Sequence, residues 1–267
     1  MPSLTFTIIQ SALHWQDKAA NLAMFEQKIN AISEKMEIVV LPEMFSTGFS
    51  MQPQLLTETM DGATVAWMKQ IATQKKIILT GSVIIEEAGN YYNRLLWVLP
   101  NGQLGMYDKR HRFAFAGENE HYTAGSKRLI ASVKGWKINL QVCYDLRFPV
   151  WARQASSGAP GEAGLEYDVL IYVANWPERR NHAWNTLLRA RAIENQCYVI
   201  GVNRVGDDGN GIYHSGDSMV IDPLGEVLYT KAHDEAIFTI ALDKERLEEI
   251  RNKFPFWRDA DSFSILP

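Results

Sequence analysis

Ile138-Asn139-Leu140-Gln141-Val142-Cys143-Tyr144-Asp145-Leu146-Arg147-Phe148-Pro149 decides how the rest of the chain is read. Its first five residues alternate apolar and polar, the period of a strand. Tyr144 to Pro149 then reads as a turn into a helix. A thiol at such a junction is aimed out of the sheet, and the positive end of a following helix favours its thiolate. Cys143 is therefore a candidate nucleophile. The backbone N–H of Tyr144, opening the next helix, is free to stabilise an anion.

Working outward, strands and helices alternate. Residues 4–13 read as a strand, and Leu22, Phe25, Ile29, Ile32 and Met36 mark an amphipathic helix by their steps of three and four. Ile38-Val39-Val40-Leu41 is a short continuous apolar run, as expected for a strand covered on both faces. A helix at 64–75 and a strand at 77–84 follow, and Pro100-Asn101-Gly102 turns between strands at 91–99 and 103–107. Beyond Cys143 the reading is a helix from about Val150, a strand at 169–174, a helix at 183–195 and a strand at 198–203. Hairpin-like strands at 213–221 and 226–241 and a short helix from Asp243 complete it. This is a layered α/β fold with mixed sheets. Residues 155–164 are rich in small residues and read as a surface loop; nothing divides the chain, so residues 1–267 are expected to form one domain.

Composition excludes several classes of function. The 46% hydrophobic and 22% charged shares are those of an ordinary globular protein, and a net charge of -4 offers no footprint for nucleic acid or an anionic membrane. No apolar run approaches the ~20 residues that span a bilayer. Two cysteines, Cys143 and Cys197, make no disulfide framework. With an N-terminus that lacks the zones of a signal peptide, they point to the cytoplasm. No His/Cys/Asp spacing suggests a metal site, and no cofactor is expected. The glycines of residues 206–211 superficially match a dinucleotide fingerprint but lie between two strands, which makes a hairpin loop.

Two further runs supply partners for the thiol. Glu43, in Leu41-Pro42-Glu43-Met44-Phe45, comes just past a buried-type strand, at the edge where α/β sheets place ligands. Apolar neighbours there desolvate a carboxylate, which suits it to general-base work. Tyr107-Asp108-Lys109-Arg110-His111-Arg112-Phe113 offers two readings. Lys109 would stabilise a thiolate and donate to an oxyanion, whereas His111 would make a Cys–His pair.

In this order, the runs resemble the nitrilase, or carbon–nitrogen hydrolase, superfamily. The resemblance extends through Ala174-Asn175-Trp176-Pro177, the Arg189–Gln196 run, Asn203-Arg204-Val205-Gly206 and Asp222-Pro223-Leu224-Gly225. It implies a four-layer α-β-β-α sandwich with two mixed sheets. It also implies a Glu–Lys–Cys site: Glu43 as base, Lys109 on the oxyanion side, Cys143 as nucleophile, and His111 only a neighbour. Many members carry a second glutamate between lysine and cysteine. Glu118 and Glu120 both fit, and the family's usual interval back from Gly125 favours Glu118. Within the superfamily, Cys143–Pro149 and Ala174–Arg180 look most like omega-amidases, which deamidate small 2-oxo acid amides.

The expected reaction is hydrolysis of a small linear amide to carboxylate and ammonia through a cysteine thioester. The rival activities are those of a nitrilase or an N-carbamoyl amino acid amidohydrolase; the non-enzymatic alternative is an amide- or acyl-binding scaffold. Arg147 is the candidate cation for a substrate carboxylate, with a salt bridge to Asp145 as its bland alternative. Asn175 and Trp176 are expected in the pocket, with Phe45, Phe49 and Phe115 as its apolar wall. Arg179, Arg180, Arg189 and Arg191 read as helix-surface or interface ion pairs. The aromatic tail Phe254-Pro255-Phe256-Trp257 is expected to pack on its own domain or to cover an interface in a homodimer or higher homo-oligomer.

Overall fold

Two six-strand paths of hydrogen bonds, each parallel at its centre and antiparallel at its edges, carry the architecture of the computed structural model. It describes residues 3–154, 165–261 and 263–265. The first sheet contains β1 (Leu4–Gln10), β2 (Ile38–Val40), β3 (Ile78–Glu87), β4 (Asn90–Val98) and β5 (Leu104–Asp108). The second contains β6 (Leu129–Val133), β7 (Trp136–Val142), β8 (Val169–Ala174), β9 (Tyr198–Asn203), β10 (Val205–Asp207), β11 (Tyr213–Ile221) and β12 (Val227–Ala232). The last strand, β13 (Ala236–Leu242), crosses back to pair antiparallel with β1, so the first sheet runs β13-β1-β2-β3-β4-β5. The second runs β10-β11-β9-β8-β7-β6, with β12 beside β11.

Side-chain alternation shows how the layers stack. Phe6, Ile8, Ile38, Val40 and Ile78 join one buried cluster with Ile138, Leu140, Val142 and Ile171 of the second sheet. Their neighbours Ile9, Val39 and Leu79 belong to a separate cluster on the opposite face. There they meet Phe25 and Ile29 of α1 (Lys18–Asn30) and Val65, Met68 and Ile71 of α3 (Ala63–Lys75). A strand's period of two makes that division obligatory. Short helices α2 (Pro53–Leu56), α4 (Glu118–His121) and α5 (Pro149–Ala152) lie in the connections. Trp184, Leu188 and Ala192 of α6 (Asn181–Asn195), with Leu247 of α7 (Lys244–Lys253), pack on the second sheet. Asp243 caps α7 by accepting the Glu245 and Arg246 amides. This is the expected α-β-β-α sandwich of two mixed sheets.

Several expectations need correction. The strand expected over 226–241 is two strands, broken near His233, where φ is 68°. The helix expected from Val150 is a single turn before the undescribed stretch, and the loop expected at 155–164 lies outside the described residues. The hairpin Leu129–Val133 to Trp136–Val142 was not foreseen from the sequence, because Leu129-Ile130-Ala131 is short and flanked by charge.

Phe45 is not a pocket wall. It is fully buried among Phe25 (ring centroids 5.6 Å apart, edge-on) and Trp67, beneath the outer helices. The close approach requires Gly81 on β3, where a Cβ would stand 2.8 Å from the Phe45 ring and 3.0 Å from Leu41. Phe45→Ala is expected to cost about 3–5 kcal/mol of unfolding free energy, measured by urea denaturation. A variant as stable as the parent would show that the ring is not core.

Candidate active site

Both sheets deliver side chains to one edge of the sandwich. Glu43 follows β2, Lys109 follows β5, Cys143 follows β7 and Asn175 follows β8. Cys143 sits at φ 45°, a left-handed conformation that costs a non-glycine residue roughly 1–2 kcal/mol. Asp145 holds this bend: its carboxylate accepts the Val142 amide at 3.0 Å, the Tyr107 hydroxyl at 2.7 Å and the His111 amide at 2.9 Å. The segment after the cysteine is a 3-10 turn, Cys143–Arg147, with no long helix behind it. Its opening amides, Tyr144 among them, have no acceptor within the turn.

At the floor, Lys109 Nζ lies 2.9 Å from Glu43 Oε1 and 2.9 and 3.0 Å from the two oxygens of Glu118. Glu43 and Glu118 are fully buried and Lys109 is 1% exposed, while Cys143 keeps 8%, so the thiol is the group a ligand meets first. Asn93 Nδ2 donates to Glu43 Oε1 at 2.8 Å and reaches Glu118 at 3.4 Å. The Asn175 amide donates to Glu43 Oε2 at 2.8 Å. Glu43 Oε1 is thus doubly occupied, and Oε2 keeps a lone pair for the thiol. Glu118 also accepts the Phe113 amide, whereas Glu120 is exposed. The geometry therefore puts Glu118, not Glu120, against the lysine.

Burial works against every charge here, and the neighbours decide the outcome. Burial alone would push Lys109 down, but Glu118 and Glu43 hold it above its ordinary range as a firm cation. Glu118 is raised by burial and by Glu43, against the pull of Lys109. Cys143 is raised well above a free thiol by burial and by the charge and hydrogen bond of Glu43, with Lys109 opposing. From the sequence, a helix dipole is expected to favour the thiolate; the turn is too short to supply one, and a carboxylate, not a cation, is the dominant charged neighbour.

His111 is turned to Asp145, with Nδ1 at 2.8 Å, and its ring stacks on Phe148 at 3.8 Å. It shapes the bend and does not face the pocket. Arg147 makes no salt bridge with Asp145; its guanidinium lies over the Trp176 ring at 5.0 Å. Trp176 is 3% exposed and fixed by Asn203, which accepts its amide and donates to its carbonyl. A cavity of about 520 Å³ opens above Cys143, bounded by Tyr144, Arg147, Asn175, Trp176, Phe49 and Phe115.

Carbon-nitrogen hydrolase is the family whose pattern matches residues 5–252. The chain belongs to that family. Among relatives of this carbon-nitrogen hydrolase, omega-amidase YafV of Escherichia coli K12 is 44% identical over 266 residues, covering 99% of this chain and all of the relative. A 2-oxoglutaramate amidase of Bacillus subtilis is 31% identical over 259 residues, 96% of each. The crystal structure of XC1258 from Xanthomonas campestris, a CN-hydrolase superfamily protein with an arsenic adduct in its active site, superposes with a TM-score of 0.96. It is 43% identical, with full coverage of both chains.

Sequence reasoning missed four contributors to the site. Asn93 bonds both carboxylates; between Tyr92 and Arg94 in β4 it stands beside another polar residue and gives no separate signal in the sequence. Arg179 and Arg180 line the cavity and do not form surface ion pairs. Arg191 is likewise no surface residue: it is 2% exposed and bonds the Leu146 carbonyl behind the cysteine turn. The loop at 206–211 is the expected hairpin connection between β10 and β11, and it lends Asp208 and Asn210 to the cavity rim.

Lys109→Met would leave two buried carboxylates without their cation. A loss of about 3–5 kcal/mol is expected in chemical denaturation. Adding Glu118→Gln should recover part of it by removing one of the facing charges. A double variant whose loss equals the sum of the singles would show the groups to be uncoupled.

Proposed function

We propose that this chain is an omega-amidase that hydrolyses the terminal amide of a small 2-oxo dicarboxylic acid to a carboxylate and ammonia. The observation that carries the reading is the Cys143 thiol at the mouth of a buried Glu43–Lys109–Glu118 cluster, opening into a cavity that bears arginine. Relatives over the full length of the chain, named omega-amidase and 2-oxoglutaramate amidase, support the substrate class.

In the first half-reaction Glu43 takes the Cys143 proton as sulfur bonds to the amide carbon. The oxyanion is received by Lys109 Nζ and the Tyr144 N–H; one such donor is worth ~3 kcal/mol in the transition state. Glu43 then returns the proton to the amide nitrogen as the C–N bond breaks and ammonia leaves. In the second half Glu43 deprotonates water, which attacks the thioester, and the thiol departs with the proton restored. Glu118 and Asn93 hold Lys109 and Glu43 in place. At the other end of the substrate, Arg147 receives the carboxylate, its face fixed by Trp176. Asn175 and Phe115 close the sides.

We place this work in the cytoplasm, where two free cysteines stay reduced; recovery in a secreted or envelope fraction would overturn that. We also propose a homodimer through the face that exposes Val150, Ile193 and Leu224. Ile193 would contact a Cβ at Gly225, beside Leu224, and Arg153, three residues after Val150, bonds the Glu194 carbonyl, so the patch is continuous. Ile193→Asp should yield a monomer by light scattering; an unchanged mass would remove this face as the interface.

Cys143→Ala should abolish ammonia release from 2-oxoglutaramate while leaving the thermal unfolding midpoint within a few degrees. Turnover of nitriles or carbamoyl amino acids in preference to 2-oxoglutaramate by the unaltered enzyme would redirect the assignment. Equal, slow alkylation of Cys143 and the fully buried Cys197 would favour a binding scaffold.

A further inference from the structure

The cavity is lined by three guanidinium groups, those of Arg147, Arg179 and Arg180. None of the three makes an ion pair among the described residues, although Arg94, Arg128, Arg191 and Arg251 all do. Arg147 and Arg180 are pinned by aromatic faces on adjoining walls. Arg147 lies over Trp176 at 5.0 Å, and Arg180 lies over Phe113 at 4.9 Å. The ring that carries Arg147 also fixes Arg180, since Trp176 Nε1 donates to the Arg180 carbonyl at 2.8 Å. Phe113 in turn packs edge-on against Tyr144, next to the nucleophile, at 4.9 Å. Arg179 stands further out and is exposed.

Cations that line one cavity repel each other unless an anion joins them. Burial, then Arg179 and Arg147, depress the Arg180 guanidinium, while a negative charge at Cys143 would raise it, so Arg180 senses both the second arginine and the reacting end. Acidic groups near the arginines are few. Asp208, the one carboxylate among the cavity-lining residues, accepts the Asn210 and Ile212 amides at 2.8 and 3.0 Å, both through Oδ1. Glu43 and Glu118 are committed to Lys109 beneath the thiol. A ligand here therefore meets three guanidinium groups against a single carboxylate on the lining.

That asymmetry discriminates between two amides of the same length. A 2-oxo acid amide brings a carboxylate and a carbonyl oxygen, both acceptors. The corresponding α-amino acid amide brings the same carboxylate with an ammonium beside it. We propose that Arg180 is a specificity-determining residue that, together with Arg147, selects amides of 2-oxo acids and rejects amides of α-amino acids. Arg180 takes part in the carboxylate contact and faces the adjacent 2-position, where an oxo group accepts a hydrogen bond and an ammonium is repelled. This inference rests on the omega-amidase reading.

The test is the ratio of kcat/KM for 2-oxoglutaramate to that for L-glutamine, in the unaltered enzyme and in Arg180→Met, with butyramide as a neutral amide that reports on fold and nucleophile. Arg180→Met is expected to lower the ratio roughly 10- to 100-fold, mainly through a higher KM for 2-oxoglutaramate, with butyramide turnover kept. An unchanged ratio, or an equal loss on butyramide and 2-oxoglutaramate, overturns the role of Arg180. If the unaltered enzyme turns over butyramide but not 2-oxoglutaramate, the substrate reading itself fails, and this inference with it.

Discussion

Everything at the site depends on one buried ammonium. Lys109 stands between two carboxylates that arrive from different parts of the chain, Glu43 after β2 and Glu118 in α4. Taking each ion out of water costs several kcal/mol, and only close, fully hydrogen-bonded geometry offsets it. The surrounding structure supplies that geometry. Asn93 and the Phe113 amide share with Lys109 the oxygens Glu43 Oε1 and Glu118 Oε2, and the Asn175 amide fills Glu43 Oε2, which Lys109 does not reach. Because Asn175 lies at the end of β8, the second sheet reaches across to hold a carboxylate carried by the first. The sandwich and the catalytic cluster stabilise the same arrangement.

The buried cluster also bears on Cys143. Burial and the charge and hydrogen bond of Glu43 push the thiol up, and Lys109 opposes them. The strained bend at Cys143 contributes position rather than acidity. Asp145 anchors it by accepting three groups from three neighbouring segments, and His111 is spent on the same anchor.

What could be read from the sequence followed the range of the interactions. Strands such as Val169–Ala174 and Tyr198–Asn203 were legible because continuous apolar runs report burial on both faces. Cys143 drew attention because it ends an alternating run; local pattern offered Glu43 and left Lys109 and His111 as rivals, and the resemblance favoured the lysine. The geometry now puts Glu43, Lys109 and Glu118 in contact and separates Glu118 from Glu120, a distinction that local pattern left open. Phe45 misled because an aromatic two residues past Glu43 reads equally as wall or core, and only the path of the chain after β2 decides. Asn93 and Arg180 were illegible for a related reason: their partners are distant in sequence, and an arginine beside another arginine looks like surface charge until walls close around it.

The division between floor and walls has a consequence for how such a site can change. The floor is a closed set in which each group completes another, so altering one leaves a buried charge or an orphaned donor. The wall groups are held more loosely, by the faces of Trp176 and Phe113 and by the turn at Arg180, and they carry no buried partner that a substitution would strand. Chemistry is thus locked while recognition stays adjustable. Nitriles, carbamoyl groups and amides all offer the sulfur an electrophilic carbon bound to nitrogen. On the omega-amidase reading proposed above, the guanidinium groups that line the cavity give the same floor a preference among them.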